Sequence, residues 1–160
     1  MSYNIGETII HPAHGSCIVQ KISHIDIGGE NEECYTLQLL NDVQMTVFVP
    51  LRSTDKIGLR HVIDPKDAQD ILKMISDMKT DWIKVSNIRK QTFSRILKNG
   101  ELTELVNMIK TLVCHSRCES LSACDQRFYN DGMKKLVSEF SLSLKQDYKN
   151  MENCILGFMQ

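Results

Sequence analysis

The chain has 160 residues and a formal net charge of −1, with 42% apolar and 24% charged residues. That balance fits a folded soluble chain and argues against wholesale disorder. No apolar run reaches the ~18 residues that a membrane helix needs, and residues 1–7 lack the charged-then-apolar order of a secretory signal, so a cytoplasmic protein is expected.

The small net charge hides an asymmetry. Residues 1–64 hold four Lys/Arg and eight Asp/Glu, a balance of −4, whereas residues 65–160 hold fifteen and twelve, a balance of +3. An anionic partner is therefore expected on the second part. Six cysteines without a secretory signal read as reduced thiols.

In chain order, the first elements are extended. Thr8-Ile9-Ile10-His11 is a short apolar run closed by Pro12, and His14-Gly15 is turn chemistry. Residues 17–22 resume an extended pattern until Gly28-Gly29 breaks it as a hairpin loop would. Residues 34–39 alternate with period two, which puts Tyr35, Leu37 and Leu39 on one face. Asn41-Asp42 is the next turn, and residues 43–49 form a further strand ended by Pro50. Four short strands joined by tight turns predict a small antiparallel barrel or curled sheet, whose edge strands offer unpaired N–H and C=O groups to a partner.

From Pro65 the pattern becomes helical. Residues 66–78 carry Ala68, Ile71, Leu72, Ile75 and Met78 at helical spacing. Asp81 is expected to cap a second helix over residues 82–98, with Asn99-Gly100 as a left-handed stop. A third helix runs over about 101–113. Ser122-Ala123-Cys124-Asp125 resembles a capping box for a long fourth helix that buries Tyr129, Met133, Leu136, Val137 and Phe140. Gly132 inside that helix would let a neighbouring helix come close. The expected division is a β-domain over 1–64, a helical domain over 65–150, and a tail over 151–160.

Several strings together resemble the CarD family of bacterial transcription regulators. They are Ile5-Gly6-Glu7-Thr8-Ile9-Ile10-His11-Pro12-Ala13-His14-Gly15, then Gly29-Glu30, Met45-Thr46-Val47-Phe48-Val49-Pro50 and Ile57-Gly58-Leu59-Arg60. In the helical part they are Ile96-Leu97-Lys98-Asn99-Gly100-Glu101, Leu121-Ser122 and Ser138-Glu139-Phe140. The resemblance implies an α+β protein, with an N-terminal Tudor-like β-barrel that binds the RNA polymerase β subunit, partly by adding strand to strand. It implies a C-terminal helical bundle at the upstream edge of the promoter bubble, where a tryptophan wedges into the minor groove.

The candidate site residues follow. Trp82, the only tryptophan, is either that wedge or a core ring covering the domain junction. Lys84, Arg89, Lys90, Arg95 and Lys98 occur with no acidic residue between Trp82 and Gly100. With Val85, Ile88, Ile96 and Leu97 as an apolar stripe, these cations face outward, either as phosphate contacts that read no bases or as a solvated face. Lys134 and Lys135 are further candidates. On the β-domain, alternation exposes Gln44, Thr46 and Phe48, and these with Ile25 make the expected polymerase surface. Many family members carry basic residues at the positions of Ile25 and Phe48, and this chain does not. No catalytic motif, metal spacing or cofactor loop appears, so a non-enzymatic regulator is expected. The alternative is a protein-interaction adaptor that never touches DNA.

Overall fold

The computed structural model describes all residues, 1–160, and divides into two compact units, Met1–Val62 and Ile63–Gln160. The first is a five-stranded antiparallel sheet of β1 (Thr8–His11), β2 (Gly15–Ile27), β3 (Glu30–Leu39), β4 (Thr46–Pro50) and β5 (Arg60–His61), in the spatial order β4-β3-β2-β1-β5. A short helix, α1 (Thr54–Ile57), links β4 to β5. The two end strands, β4 and β5, are not paired with each other.

Local chemistry explains this sheet. Gly28 and Gly29 both have positive φ, 63° and 88°, so a two-residue loop joins β2 to β3, with Ile27 opposite Glu30. Glycine takes both conformations without steric cost, and the loop's twist matches the strands it connects. Between Val19 and Lys21 the pairing with β3 shifts by one residue. The resulting bulge reverses the alternation of β2. Ahead of it, Cys17 and Val19 point into a core with Tyr35, Leu37, Leu39 and Val49. Beyond it, Lys21, Ser23 and Ile25 join the opposite face. The expected strand over 43–49 begins late, at Thr46. Asp42 holds a turn there, accepting from Met45 N–H through its carbonyl (3.0 Å) and from Gln44 N–H through Oδ1 (3.2 Å).

The second unit comprises α2 (Pro65–Ile75), α3 (Ser86–Asn99), α4 (Leu102–Ser116), α5 (Ala123–Leu144) and α6 (Tyr148–Phe158). Their inner faces close one core, with Ile75, Met108, Ile109, Leu112, Leu136 and Phe140 fully enclosed. None of these helices is long and apolar enough to cross a membrane.

Two expectations are corrected here. Residues 151–160 are not a tail. Asp147 caps α6 by accepting from Lys149 N–H (3.1 Å) and Asn150 N–H (3.3 Å), and Met151, Ile155 and Met159 are buried in the core. Each of those side chains contributes roughly 1.5–3 kcal/mol of burial, enough to hold a short helix in place. Gly100 is not left-handed either; its φ is −70° and its ψ is 152°. What demands glycine there is contact, since a Cβ at Gly100 would lie 2.6 Å from the Ile96 carbonyl oxygen.

Gly132 does mark a close approach, between α5 and α4. A Cβ at this position would lie 3.1 Å from Ile109 Cγ1 and 3.2 Å from Met108 Cε. Gly132→Ala gains about 1 kcal/mol of helix propensity, but it overpacks a fully buried branched side chain at a cost of about 1–3 kcal/mol. A net loss of about 1 kcal/mol is expected, read as a lower urea midpoint at unchanged slope.

Candidate functional site

The stretch between α2 and α3, residues 76–85, is not helical, so Trp82 does not open a helix. Val85, with no side-chain hydrogen bond, stands at the N-cap of α3, and Asp81 does not serve as the cap. The cause lies on α4. Lys110 Nζ donates to the carbonyls of Ile75 (2.6 Å), Ser76 (3.1 Å) and Met78 (2.8 Å), and Asn107 Nδ2 donates to the Lys79 carbonyl (2.8 Å). These bonds draw the chain along α4 once α2 has ended. At the far end, Arg89 Nη1 donates to the Ile83 carbonyl (2.8 Å).

Between those two clamps sits Trp82, partly buried against the helical core. Its indole stacks on the His115 imidazole, with 3.5 Å between ring centroids and 3° between planes. The Arg89 guanidinium carbon lies 4.5 Å from the indole centroid. A parallel imidazole at that distance fills one face, so the guanidinium must lie against the other. Beside this stack opens a cleft of about 590 Å³, lined by Lys84, Glu119, Ser120 and Ser122 as well as the stacked groups.

Arg89 was expected to face outward toward phosphate. It is instead 8% exposed and bidentate to Asp125, with Nε to Oδ1 at 2.9 Å and Nη2 to Oδ2 at 3.0 Å. Ser122 caps α5, accepting from Asp125 N–H (3.1 Å) while its hydroxyl donates to Asp125 Oδ2 (2.8 Å). Burial pushes the Asp125 carboxyl up, but the hydrogen bonds from Arg89 and Ser122 and the charges of Arg89 and His115 outweigh it, holding the group below the usual carboxylate range. The helix face turns accordingly. Arg89 and Phe93 are the buried residues of α3, while Val85 and Ile88, expected in the apolar stripe, are 56% and 53% exposed.

The other cations divide into two groups. Lys84, Lys90 and Lys98 are exposed. Arg95 is exposed but paired with Glu104 (3.2 Å), whose carboxyl is lowered by that hydrogen bond first and then by the Glu101 N–H. Lys135, Lys110 and Arg117 are turned to helix ends, where they complement the negative pole of the dipole. Lys135 Nζ donates to the Leu97 carbonyl, and burial pushes its amine down to about 8. Arg117 Nη2 donates to the Met159 carbonyl (2.8 Å). Much of the positive balance of residues 65–160 is therefore structural. Lys134 remains exposed.

On the sheet unit, β4 is an end strand with Phe48 opposite Thr36 and Thr46 opposite Gln38. Thr36 in turn faces Lys21, and Ile25 faces Glu32. Ile25, Thr46 and Phe48 thus share one face, the one opposite to Val47 and Val49. Phe48 is 52% exposed and Ile25 partly so. Gln44 lies in the turn before β4 and is exposed. Leu40, Val43 and Met45 are also exposed around that turn, extending the apolar surface beyond the residues expected from alternation.

Family models match both units in order. The CarD-like/TRCF RID domain covers residues 3–63, and the CarD C-terminal domain covers residues 70–156. The chain belongs to the CarD family. It is similar to YdeB of Bacillus subtilis (strain 168), a protein described as a candidate transcription factor, with 21% identity over 140 residues, covering 88% of this chain and 91% of YdeB. In this CarD-family chain, sequence reasoning missed His115, Asp125, Lys110 and Asn107. The Ser122/Asp125 spacing placed Asp125 at a helix start, but no local signal joined it to Arg89, 36 residues away.

Proposed function

We propose that this CarD-family chain is a non-enzymatic transcription regulator, sharing the role ascribed to YdeB. Its sheet unit, read as a Tudor-like curled sheet, grips the RNA polymerase β subunit. Its helical unit contacts promoter DNA near the upstream edge of the bubble and stabilises the open complex. One observation carries this reading: the chain offers an open strand edge flanked by exposed apolar side chains on one unit, and on the other a helix bearing cations and no carboxylate. The free edge of β4 suits strand addition, with Phe48 and Thr46 on the strand, Gln44 in the turn before it, and Ile25 farther along the same sheet face on β2. Lys84, Lys90 and Lys98 supply backbone contacts that position without reading sequence, and Trp82 meets the bubble edge. Because polymerase delivers the helical unit to the promoter, its own DNA affinity can be low. No cofactor or metal is required.

A second reading, a protein adaptor that never touches DNA, draws on one observation: Arg89, Lys110, Arg117 and Lys135 bind carboxylate or carbonyl groups of the protein itself. Reversing Lys84, Lys90 and Lys98 to glutamate separates the two. Open-complex lifetime is expected to fall, and the slope of its logarithm against log salt to shrink by about 2.7, at ~0.9 per phosphate contact. Pull-down of the isolated polymerase β lobe should be retained by this variant and lost by Phe48→Asp. An unchanged lifetime supports the adaptor.

A further inference from the structure

The exposed cations and the β4 edge belong to the function already argued, but the His115 stack does not. We propose that His115 is a displaceable cover on Trp82, occupying in the free protein the place that an unpaired nucleobase takes when DNA is bound. This rests on the reading of Trp82 as a DNA contact and adds what controls access to its ring.

The two faces of the indole are held very differently. Beneath one, Arg89 is fixed by both oxygens of Asp125 and by the Ile83 carbonyl, with its side chain 9% exposed. It cannot leave without stranding a buried carboxylate. Over the other, the His115 ring has one ion-pair contact, Glu119 at 3.5 Å from Nε2, and that carboxylate is 78% exposed. His115 stands in the last turn of α4, where helix ends fray most readily. The cleft beside the stack gives the imidazole somewhere to go and a base somewhere to enter.

The exchange is chemically conservative. A flat heteroaromatic ring already lies parallel to the indole at van der Waals distance, and a nucleobase is a larger ring of the same kind. Base–aromatic stacking is the stronger interaction of the two and tolerates any sequence. The guanidinium behind the indole backs the same face throughout. Lys84, on the cleft wall, is placed to meet the phosphate of the entering nucleotide, while Glu119 stays at the rim. In a paired duplex no base is free to make the exchange, so the cover discriminates melted from paired DNA without reading sequence.

The test uses the full chain and DNA carrying a fluorescent end label, whose anisotropy reads binding for every variant. Each protein is titrated into a duplex ending in a short unpaired fork and into a fully paired duplex of the same sequence. Wild type is expected to prefer the fork, with Trp82 emission changing on binding. His115→Ala should bind the fork about 2- to 10-fold tighter, the equivalent of one lost ring stack, with the paired duplex unchanged. His115→Trp, a larger cover, should bind the fork more weakly. Should His115→Ala melt early, His115→Gln keeps the helix while removing the ring and carries the same expectation. If Trp82→Ala abolishes the fork preference while removal of the His115 ring changes nothing, the cover is refuted and the DNA reading stands. If Trp82→Ala leaves the fork preference intact, the DNA reading of Trp82 fails and the cover with it.

Discussion

Arg89→Ala is expected to cost the helical unit about 3–5 kcal/mol, the penalty for leaving one member of a buried ion pair uncompensated. The partner, Asp125, is 2% exposed, and its carboxylate would keep the Ser122 hydroxyl as a donor and the more distant charge of His115. The Ile83 carbonyl loses its donor and the indole loses its backing. At ~4–8 °C per kcal/mol for a unit of this size, the melting temperature should fall by roughly 12–40 °C. Circular dichroism and Trp82 fluorescence should report the loss together. The double variant Arg89→Met/Asp125→Leu should recover most of it, because replacing both charges with apolar groups of similar volume is often neutral. A single variant that melts within a few degrees of wild type would mean that the pair is not desolvated.

The same pair sets a pH dependence whose sign is fixed. The Asp125 carboxyl is held below its ordinary value of 3.8, so its contribution is fully present above that value and fades as pH falls below it. Without Arg89, burial pushes the carboxyl up against fewer opposing contacts. A carboxyl raised in the folded state favours folding as it takes up its proton, so the deficit of Arg89→Ala against wild type should be largest above 3.8 and narrow as pH falls below it.

Much of the fold was legible because its signals are local. Period-two alternation at 34–39, the Gly28-Gly29 loop, Ser122 as a cap and the helical spacing of α2, α4 and α5 each depend on neighbours a few residues apart. The family strings added the order of the two units. The errors share the opposite property. Trp82 leaves helical conformation because Lys110, Asn107 and His115, on a later helix, bond or stack with its segment. Arg89 reads as a surface cation because arginine on a helix usually is one, and only Asp125 makes it a core residue. Val85 and Ile88 were then assigned to the face Arg89 actually occupies. The last helix is a different case. Met151, Ile155 and Met159 recur at four-residue spacing behind Asp147, a local signal that the expectation of a tail leaves unused.

Lys110 provides the second large effect and ties stability to the site. Its ammonium, on a residue 7% exposed, meets three carbonyls at the end of α2, all within 3.1 Å. The Ile75 and Ser76 carbonyls stand at the C-terminus of α2 and that of Met78 just beyond it, so the positive charge also complements the negative pole of the helix dipole. Lys110→Met keeps the apolar stem and removes every donor, at an expected cost of about 2–4 kcal/mol. Urea unfolding should show a lower midpoint with an unchanged slope. Lys110→Arg should not restore it, since three carbonyls converging on one point suit a compact ammonium and not a planar fork. The local consequence matters more for function. With Asn107 the lysine pins residues 75–79, just as Arg89 pins Ile83, so Trp82 is presented from a segment clamped on both sides. Loosening one clamp should raise amide exchange across residues 76–85 and broaden Trp82 emission while amide exchange in the sheet unit stays unchanged. Were exchange in that segment unchanged, the position of Trp82 would depend on its stack with His115 and Arg89 alone.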